Sequence, residues 1–351
     1  MFTPYKAGEI EIPNRVVMAP MTRSRADENA APTALTATYY AQRAQAGLLI
    51  TEGTSPSADG LGYARTPAIY TPQQVEAWRQ VTDAVHAAGG RIVIQLMHVG
   101  RIAHALNQPD GARVVAPSAI AAAGTMWTDK GGMQPYPVPH ELTIAQIAEV
   151  VDEFAQATRN ARDAGFDGVE LHAANGYLPN QFLAPNTNLR TDAYGGSIEN
   201  RGRFVLEVYD AMAAAWSADR VGIRVSPGGT FNDINDPNPK ATHTWLAAEL
   251  AKRKPAFLHI ARMGALDFDV FATLREVFPG TLIANGGLDF AGGQKLIEAG
   301  TADLVSYARL FISNPDLPAR FQNEWPLAAA DNSTFYTPGA KGYTDYPAYP
   351  A

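Results

Sequence analysis

Eight short apolar runs rich in β-branched residues recur along the chain, at 15–20, 48–54, 91–98, 168–174, 221–227, 257–261, 281–286 and 304–309. Each is too short for a buried helix, and the stretches between them carry helical periodicity with clear start and stop signals. Thr71-Pro72-Gln73-Gln74 offers an N-cap, a proline in the first turn and a capping-box glutamine, and Thr143-Ile144-Ala145-Gln146 repeats the cap and box without the proline. Gly89-Gly90, Gly165 and Gly300 stand where helices must stop before the next strand. Strand and helix alternating throughout favours a parallel sheet, and eight strands is the number that closes a (β/α)8 TIM barrel.

A chain of 351 residues with 46% hydrophobic and 18% charged residues can fill one such core, so 1–351 is expected to form a single barrel domain with insertions. Residues 2–14, with Gly8 in the middle and alternating Glu9-Ile10-Glu11-Ile12, read as a hairpin plugging the amino-terminal face. Residues 101–141 follow the third strand, are rich in Gly, Pro and Ala, and are too long for an ordinary loop, which suits a lid or substrate wall. The aromatic tail from 332 to 351 is expected to pack back over the barrel.

A formal net charge of −7 offers nothing to nucleic acid, no run approaches the roughly 18 apolar residues of a membrane span, and the start lacks a basic segment followed by an apolar one. A cytoplasmic protein is expected. With no cysteine, the chain has no disulfide, no thiolate metal site and no cysteine nucleophile. No metal cluster is expected, and His86, His98 and His259 read as structural, as do Trp78 and Trp245.

The chemistry points to Leu171-His172-Ala173-Ala174-Asn175-Gly176-Tyr177, which follows the apolar run Gly168-Val169-Glu170-Leu171. Two neutral donors and a phenol then stand at a strand's carboxyl end, the face where α/β barrels carry out their reactions. Three residues apart in a turn, His172 and Asn175 can face one point. Such a set can polarise a carbonyl or nitro group and protonate a neighbouring carbon, although loop residues of these types also serve simply to satisfy backbone groups.

Several motifs keep a common order: Val17-Met18-Ala19-Pro20-Met21-Thr22-Arg23, Gln95-Leu96-Met97-His98-Val99-Gly100-Arg101, His172 to Tyr177, the set from Asn186 to Ser197, Phe311-Ile312-Ser313-Asn314-Pro315-Asp316-Leu317 and Gly342-Tyr343-Thr344-Asp345-Tyr346-Pro347. Together they resemble the old yellow enzyme family over nearly the whole chain. The resemblance implies a barrel that binds FMN non-covalently and uses NADPH or NADH to reduce activated alkenes such as α,β-unsaturated carbonyls, maleimides and nitroalkenes. Hydride would come from flavin N5 and a proton from Tyr177, with His172 and Asn175 holding the substrate oxygen. Pro20, Met21, Thr22 and Gly53 match positions along the flavin, Thr22 at its O4. Gln95 matches the partner of the pyrimidine edge and Arg224 the cation near N1 and O2, where reduction places negative charge. Gly286, Gly287, Ala308 and Arg309 match the phosphate site, with Ala308 where many relatives have glycine. Phe335 and Tyr336 match pocket aromatics, and Met97 departs from the tryptophan of many relatives.

Two alternatives stay open at this point. The same scaffold could take nitroesters or nitro compounds as its true acceptors, and a non-flavin barrel lyase is the reading from a different class. Neither a strand-end lysine nor a convincing cluster of His with carboxylates supports the lyase.

Overall fold

The computed structural model describes residues 1–350. Eight parallel strands close into a barrel: β1 (Val16–Met18), β2 (Leu48–Ile50), β3 (Ile92–Leu96), β4 (Gly168–Ala173), β5 (Val221–Val225), β6 (Leu258–Ala261), β7 (Leu282–Asn285) and β8 (Leu304–Tyr307). Every strand lies inside one of the eight apolar runs, and β8 pairs with β1 to close the ring. The helices between them begin and end as the caps dictate. Both halves of the capping box form at Thr71/Gln74, opening Pro72–Ala87, and at Thr143/Gln146, opening Ile144–Asp163. Gly89 and Gly165 take φ of +81° and +86° one residue beyond the helix caps, a conformation that costs glycine little.

Side chains alternate across each strand, and here the alternation separates two cores. Outward residues such as Ile94, Leu171, Ile223, Ile260 and Ala284 pack under the helices. Inward residues at the lower end, Val17, Leu48, Ile50, Val93, Ile283 and Leu304, form a smaller apolar cluster. The hairpin of Tyr5–Ala7 and Ile10–Ile12 inserts Ala7, Ile10 and Ile12 into that cluster and so plugs the amino-terminal mouth. One level up the inward positions change character. Gln95 of β3, Glu170 of β4, Arg224 of β5, His259 of β6 and Ser306 of β8 are all buried and polar. A polar layer laid on an apolar plug is a floor for a site at the carboxyl end.

Around that end, residues 101–141 carry a short hairpin, Thr125–Thr128 with Gly132–Pro135, and the strand pair Val115–Ala116 with His140–Glu141. The tail is held against the body by two arginines that follow β1. Arg23 donates to the carbonyls of Phe335 and Gly342, and Arg25 to those of Thr334, Phe335, Gly339 and Lys341. Tyr343 is fully buried and stacks on Tyr39 with ring centroids 4.2 Å apart.

Candidate active site

The end of β4 sets three polar side chains over the barrel floor. His172 is buried, and its Nδ1 accepts from the amide of Ala174 at 3.2 Å. That bond assigns the proton of the neutral ring to Nε2, which is left as a donor toward the site. Burial, followed by the charge of Arg224 and by His259, holds this imidazole well below its ordinary pKa, so it is a neutral donor at pH 7. Asn175 follows in the left-handed region, at φ +57°, which Asn tolerates better than most residues. Its backbone N–H donates to Ser226 Oγ at 2.9 Å, while its side-chain Oδ1 is buried with no partner. Gly176 has no room for a side chain, since a Cβ there would lie 2.6 Å from that of Asn232. Tyr177 then caps the helix Leu178–Leu183 with its ring edge-on to His172, centroids 4.8 Å apart at 86°. Burial raises the phenol to about 12, so it holds its proton throughout the neutral range.

Below these residues runs a connected polar chain. Gln95 Nε2 donates to Glu170 Oε1 at 2.7 Å, Glu170 Oε2 meets His259 Nδ1 at 2.7 Å, and His259 Nε2 meets Ser306 Oγ at 2.8 Å. Arg224 approaches His259 Nε2 with Nη1 at 3.4 Å and donates from Nη2 to Asn285 Oδ1 at 2.9 Å. Among the described residues it forms no direct ion pair, and its Nε is buried without a partner. A buried guanidinium with an idle donor calls for an acceptor that the protein does not supply.

Beyond Arg224 the ends of β7 and β8 enclose a cavity of about 280 Å³ lined by Asn285, Gly286, Gly287, Ser306, Ala308 and Arg309. Gly286, at φ +121°, has no space for a Cβ, which would overlap the Arg262 carbonyl oxygen. At Gly287 the same position is open. Glycine backbone beside an arginine can receive an anion closely, so this cavity suits the phosphate end of one flavin mononucleotide and the idle Arg224 donor its ring end.

The other expected residues ring the same mouth. Pro20, Met21 and Thr22 leave the end of β1, and Gly53 lies just past β2, where a Cβ would overlap Met97 Sδ. Met97 packs with Tyr177, Val99 and Ala122. Phe335 is half-buried, whereas Tyr336 is 61% exposed at the rim. Several neighbours were not anticipated. Tyr63 is hydrogen-bonded to Tyr177, and Asn232 donates to the Asn175 carbonyl at 2.8 Å. Arg101 anchors the loop after β5 by donating to the Asp233 carbonyl at 2.8 Å and its carboxylate at 3.1 Å. His259, read as structural, proves to be a central link of the polar layer. Its period-2 placement above the apolar Phe257 was the signal available in the sequence.

A family model described as the NADH:flavin oxidoreductase / NADH oxidase family matches residues 1–328. 12-Oxophytodienoate reductase 1 of Oryza sativa subsp. japonica is 45% identical over 358 residues, covering 99% of this chain and 92% of that protein. A probable flavin mononucleotide-dependent alkene reductase of Leishmania infantum is 44% identical, covering 99% of this chain and 97% of that one. The structure of morphinone reductase in complex with tetrahydroNAD superposes with a TM-score of 0.96 at 46% identity, covering 99% of this chain and 97% of that chain. The family model spans all eight barrel strands and bears out the likeness to old yellow enzymes: the chain belongs to the FMN-dependent NADH:flavin oxidoreductase / NADH oxidase family.

Proposed function

We propose that this flavin oxidoreductase reduces the C=C bond of activated alkenes, namely α,β-unsaturated carbonyls, maleimides and nitroalkenes, with NADPH or NADH as reductant. The observation that carries the reading is the meeting of a neutral His172, the Asn175 amide and a fully protonated Tyr177 at one strand end. FMN bound across the mouth supplies two-electron transfer between nicotinamide and alkene. Gln95 and Arg224 hold its pyrimidine side, Thr22 its O4, Pro20, Met21 and Gly53 its flank, and Gly286, Gly287, Ala308 and Arg309 its phosphate.

His172 Nε2 and the Asn175 amide donate to the carbonyl or nitro oxygen of the substrate. The His172 ring is held by the Ala174 amide and the Asn175 backbone by Ser226 and Asn232 before substrate arrives, so drawing charge onto that oxygen requires little reorganisation of the site. Their neutrality matters, because a neutral donor polarises the oxygen without delivering its proton there. Tyr177 places its hydroxyl proton on the carbon next to the activating group. Met97, Phe335 and Tyr336 shape the walls, and residues 101–141 close one side as a lid.

The test is turnover of cyclohexenone, N-ethylmaleimide and a nitrate ester by the FMN-loaded protein with each nicotinamide. Fast reduction of the first two, with C=C saturation seen in the products, is expected. Turnover confined to the nitrate ester, with nitrite released, would replace the proposal with the nitroester reading.

A further inference from the structure

We propose that Glu170 and His259 are positioning residues of the flavin site: an indirect countercharge that orients Gln95 and Arg224 and sets the potential of the bound flavin without quenching the arginine. The inference rests on the reading that Arg224 and Gln95 face the flavin pyrimidine.

The tautomer logic runs in one direction through the chain. The Gln95 group facing Glu170 at 2.7 Å is its nitrogen, which can only donate, so Glu170 Oε1 accepts. Oxygen and nitrogen of that amide are therefore not interchangeable, and the free carbonyl and second N–H of Gln95 have fixed positions. The other carboxylate oxygen faces His259 Nδ1 at 2.7 Å, which assigns the ring proton to Nδ1. His259 Nε2 is then an acceptor, and it faces two donors, Ser306 Oγ at 2.8 Å and Arg224 Nη1 at 3.4 Å. Burial and the Arg224 charge, opposed by Glu170, hold His259 down at about 4, in keeping with a neutral ring.

Charge placement gives the arrangement its purpose. A carboxylate in direct contact with Arg224 would pair the guanidinium and consume its field. One imidazole away, Glu170 still offsets the cost of burying a cation, and Arg224 itself bonds only to neutral partners, Asn285 and His259. Glu170 and His259 are completely buried and neither lines the cavity itself, His259 reaching it only through Ser306.

The sign of the effect follows. Removing the Glu170 charge leaves Arg224 uncompensated, and adding electrons to a flavin beside it becomes easier. Glu170→Gln, isosteric and neutral, is expected to shift the midpoint potential of bound FMN to more positive values, measured by dye equilibration. Arg224→Met is expected to shift it to more negative values. A purely structural role would lower FMN content or thermal stability and leave the potential of the bound fraction in place. An unmoved potential in Glu170→Gln beside a shifted one in Arg224→Met overturns the proposal and leaves the Arg224 assignment standing. Unmoved potentials in both overturn the two together. A second measurement needs no change at position 170. In ¹⁵N-histidine spectra of the FMN-bound His243→Asn protein, which lacks the other ring whose Nδ1 faces an acceptor, one neutral ring protonated on Nδ1 with a strongly downfield proton is expected. An Nε2-protonated ring or an imidazolium in its place at neutral pH overturns the proposal.

Discussion

The hydroxyl of Tyr177 is hydrogen-bonded to that of Tyr63 at 3.2 Å, with the two rings edge to face and their centroids 6.2 Å apart. Both phenols are pushed up by burial, so at neutral pH both carry protons. A proton given up by Tyr177 can therefore be replaced from a second phenol in contact with it. The loop after β5 closes over the same pair, with Asn232 tied to the Asn175 carbonyl and Arg101 tied to Asp233.

Tyr177→Phe removes the hydroxyl and little else. Folding, FMN content and reduction of the flavin by nicotinamide are expected to be nearly unchanged. Reoxidation by cyclohexenone should slow by about 10²- to 10⁴-fold, the usual contribution of a positioned acid. A nitroalkene should suffer much less in its first step, because the nitro group can carry the charge before protonation. Rapid-mixing measurement of both half-reactions checks the split, and an unaltered enone rate would assign the proton to water or another residue. Tyr63→Phe should have a smaller effect, since it removes the supply and not the donor.

Replacing His172 and Asn175 together by Ala takes away both donors to the substrate oxygen. At about 1.5–3 kcal/mol for each hydrogen bond to a charged acceptor, the pair should cost about 10²- to 10⁴-fold in affinity for a phenolate-forming ligand such as p-hydroxybenzaldehyde. Spectral titration of the FMN-bound variant reads this directly. Retention of unmodified affinity would remove both residues from the oxygen site.

Much of this was legible in the primary structure. The eight strands, the plug and the two capping boxes follow from local rules, namely period-2 burial, Gly8 in a two-residue turn and Thr-x-x-Gln. His172, Asn175 and Tyr177 could be singled out because they are polar residues crowded after an apolar strand. The polar layer was harder to see. Glu170 and His259 are 89 positions apart and meet only when β4, β5 and β6 align, Arg224 standing in register between His172 and His259. Tyr63 and Asn232 come from loops whose paths depend on contacts that no local pattern encodes. The tail was expected to pack back, yet the two arginines that hold it, Arg23 and Arg25, sit more than 300 residues earlier.

Arg309→Ala should weaken FMN binding about 10- to 100-fold, since a charge-assisted contact to phosphate contributes about 1.5–3 kcal/mol. Thr22→Ala removes one neutral hydrogen bond and should weaken binding less than tenfold, roughly, while moving the flavin potential. Fluorescence titration of apoprotein with FMN separates them. Equal dissociation constants would contradict the phosphate role of Arg309, and an unchanged potential would contradict the placement of Thr22 at O4.

Stability should fall between pH 6.5 and pH 5, and the sign comes from buried histidines. His98 and His259 are held down at about 4, chiefly by burial, and His172 and His243 are lowered by the same cause. In the unfolded chain each would titrate near 6.5, so on acidification the unfolded state binds protons that the folded state refuses. Their contribution is complete above about 6.5 and is lost toward 4. Glu52 acts in the opposite sense. Burial raises it to about 7 although it accepts a hydrogen bond from the Arg23 amide at 3.1 Å, so its contribution is present at acid pH and fades as pH rises through 7. Burial raises Glu153 in the same sense, but two groups of that sign against four of the other leave a net loss on acidification. The expected result is a lower Tm at pH 5 than at pH 7, and an equal or higher Tm at pH 5 would contradict it. His98→Asn isolates one part: its Oδ1 can replace Nδ1 as acceptor for the Gly100 amide, at 3.1 Å in the native site, and it removes the imidazole that titrates there. At about 1.4 kcal/mol per pH unit, this variant should lose about 2 kcal/mol of the pH dependence between 6.5 and 5. An unaltered slope would mean that His98 can take up its proton in the folded protein.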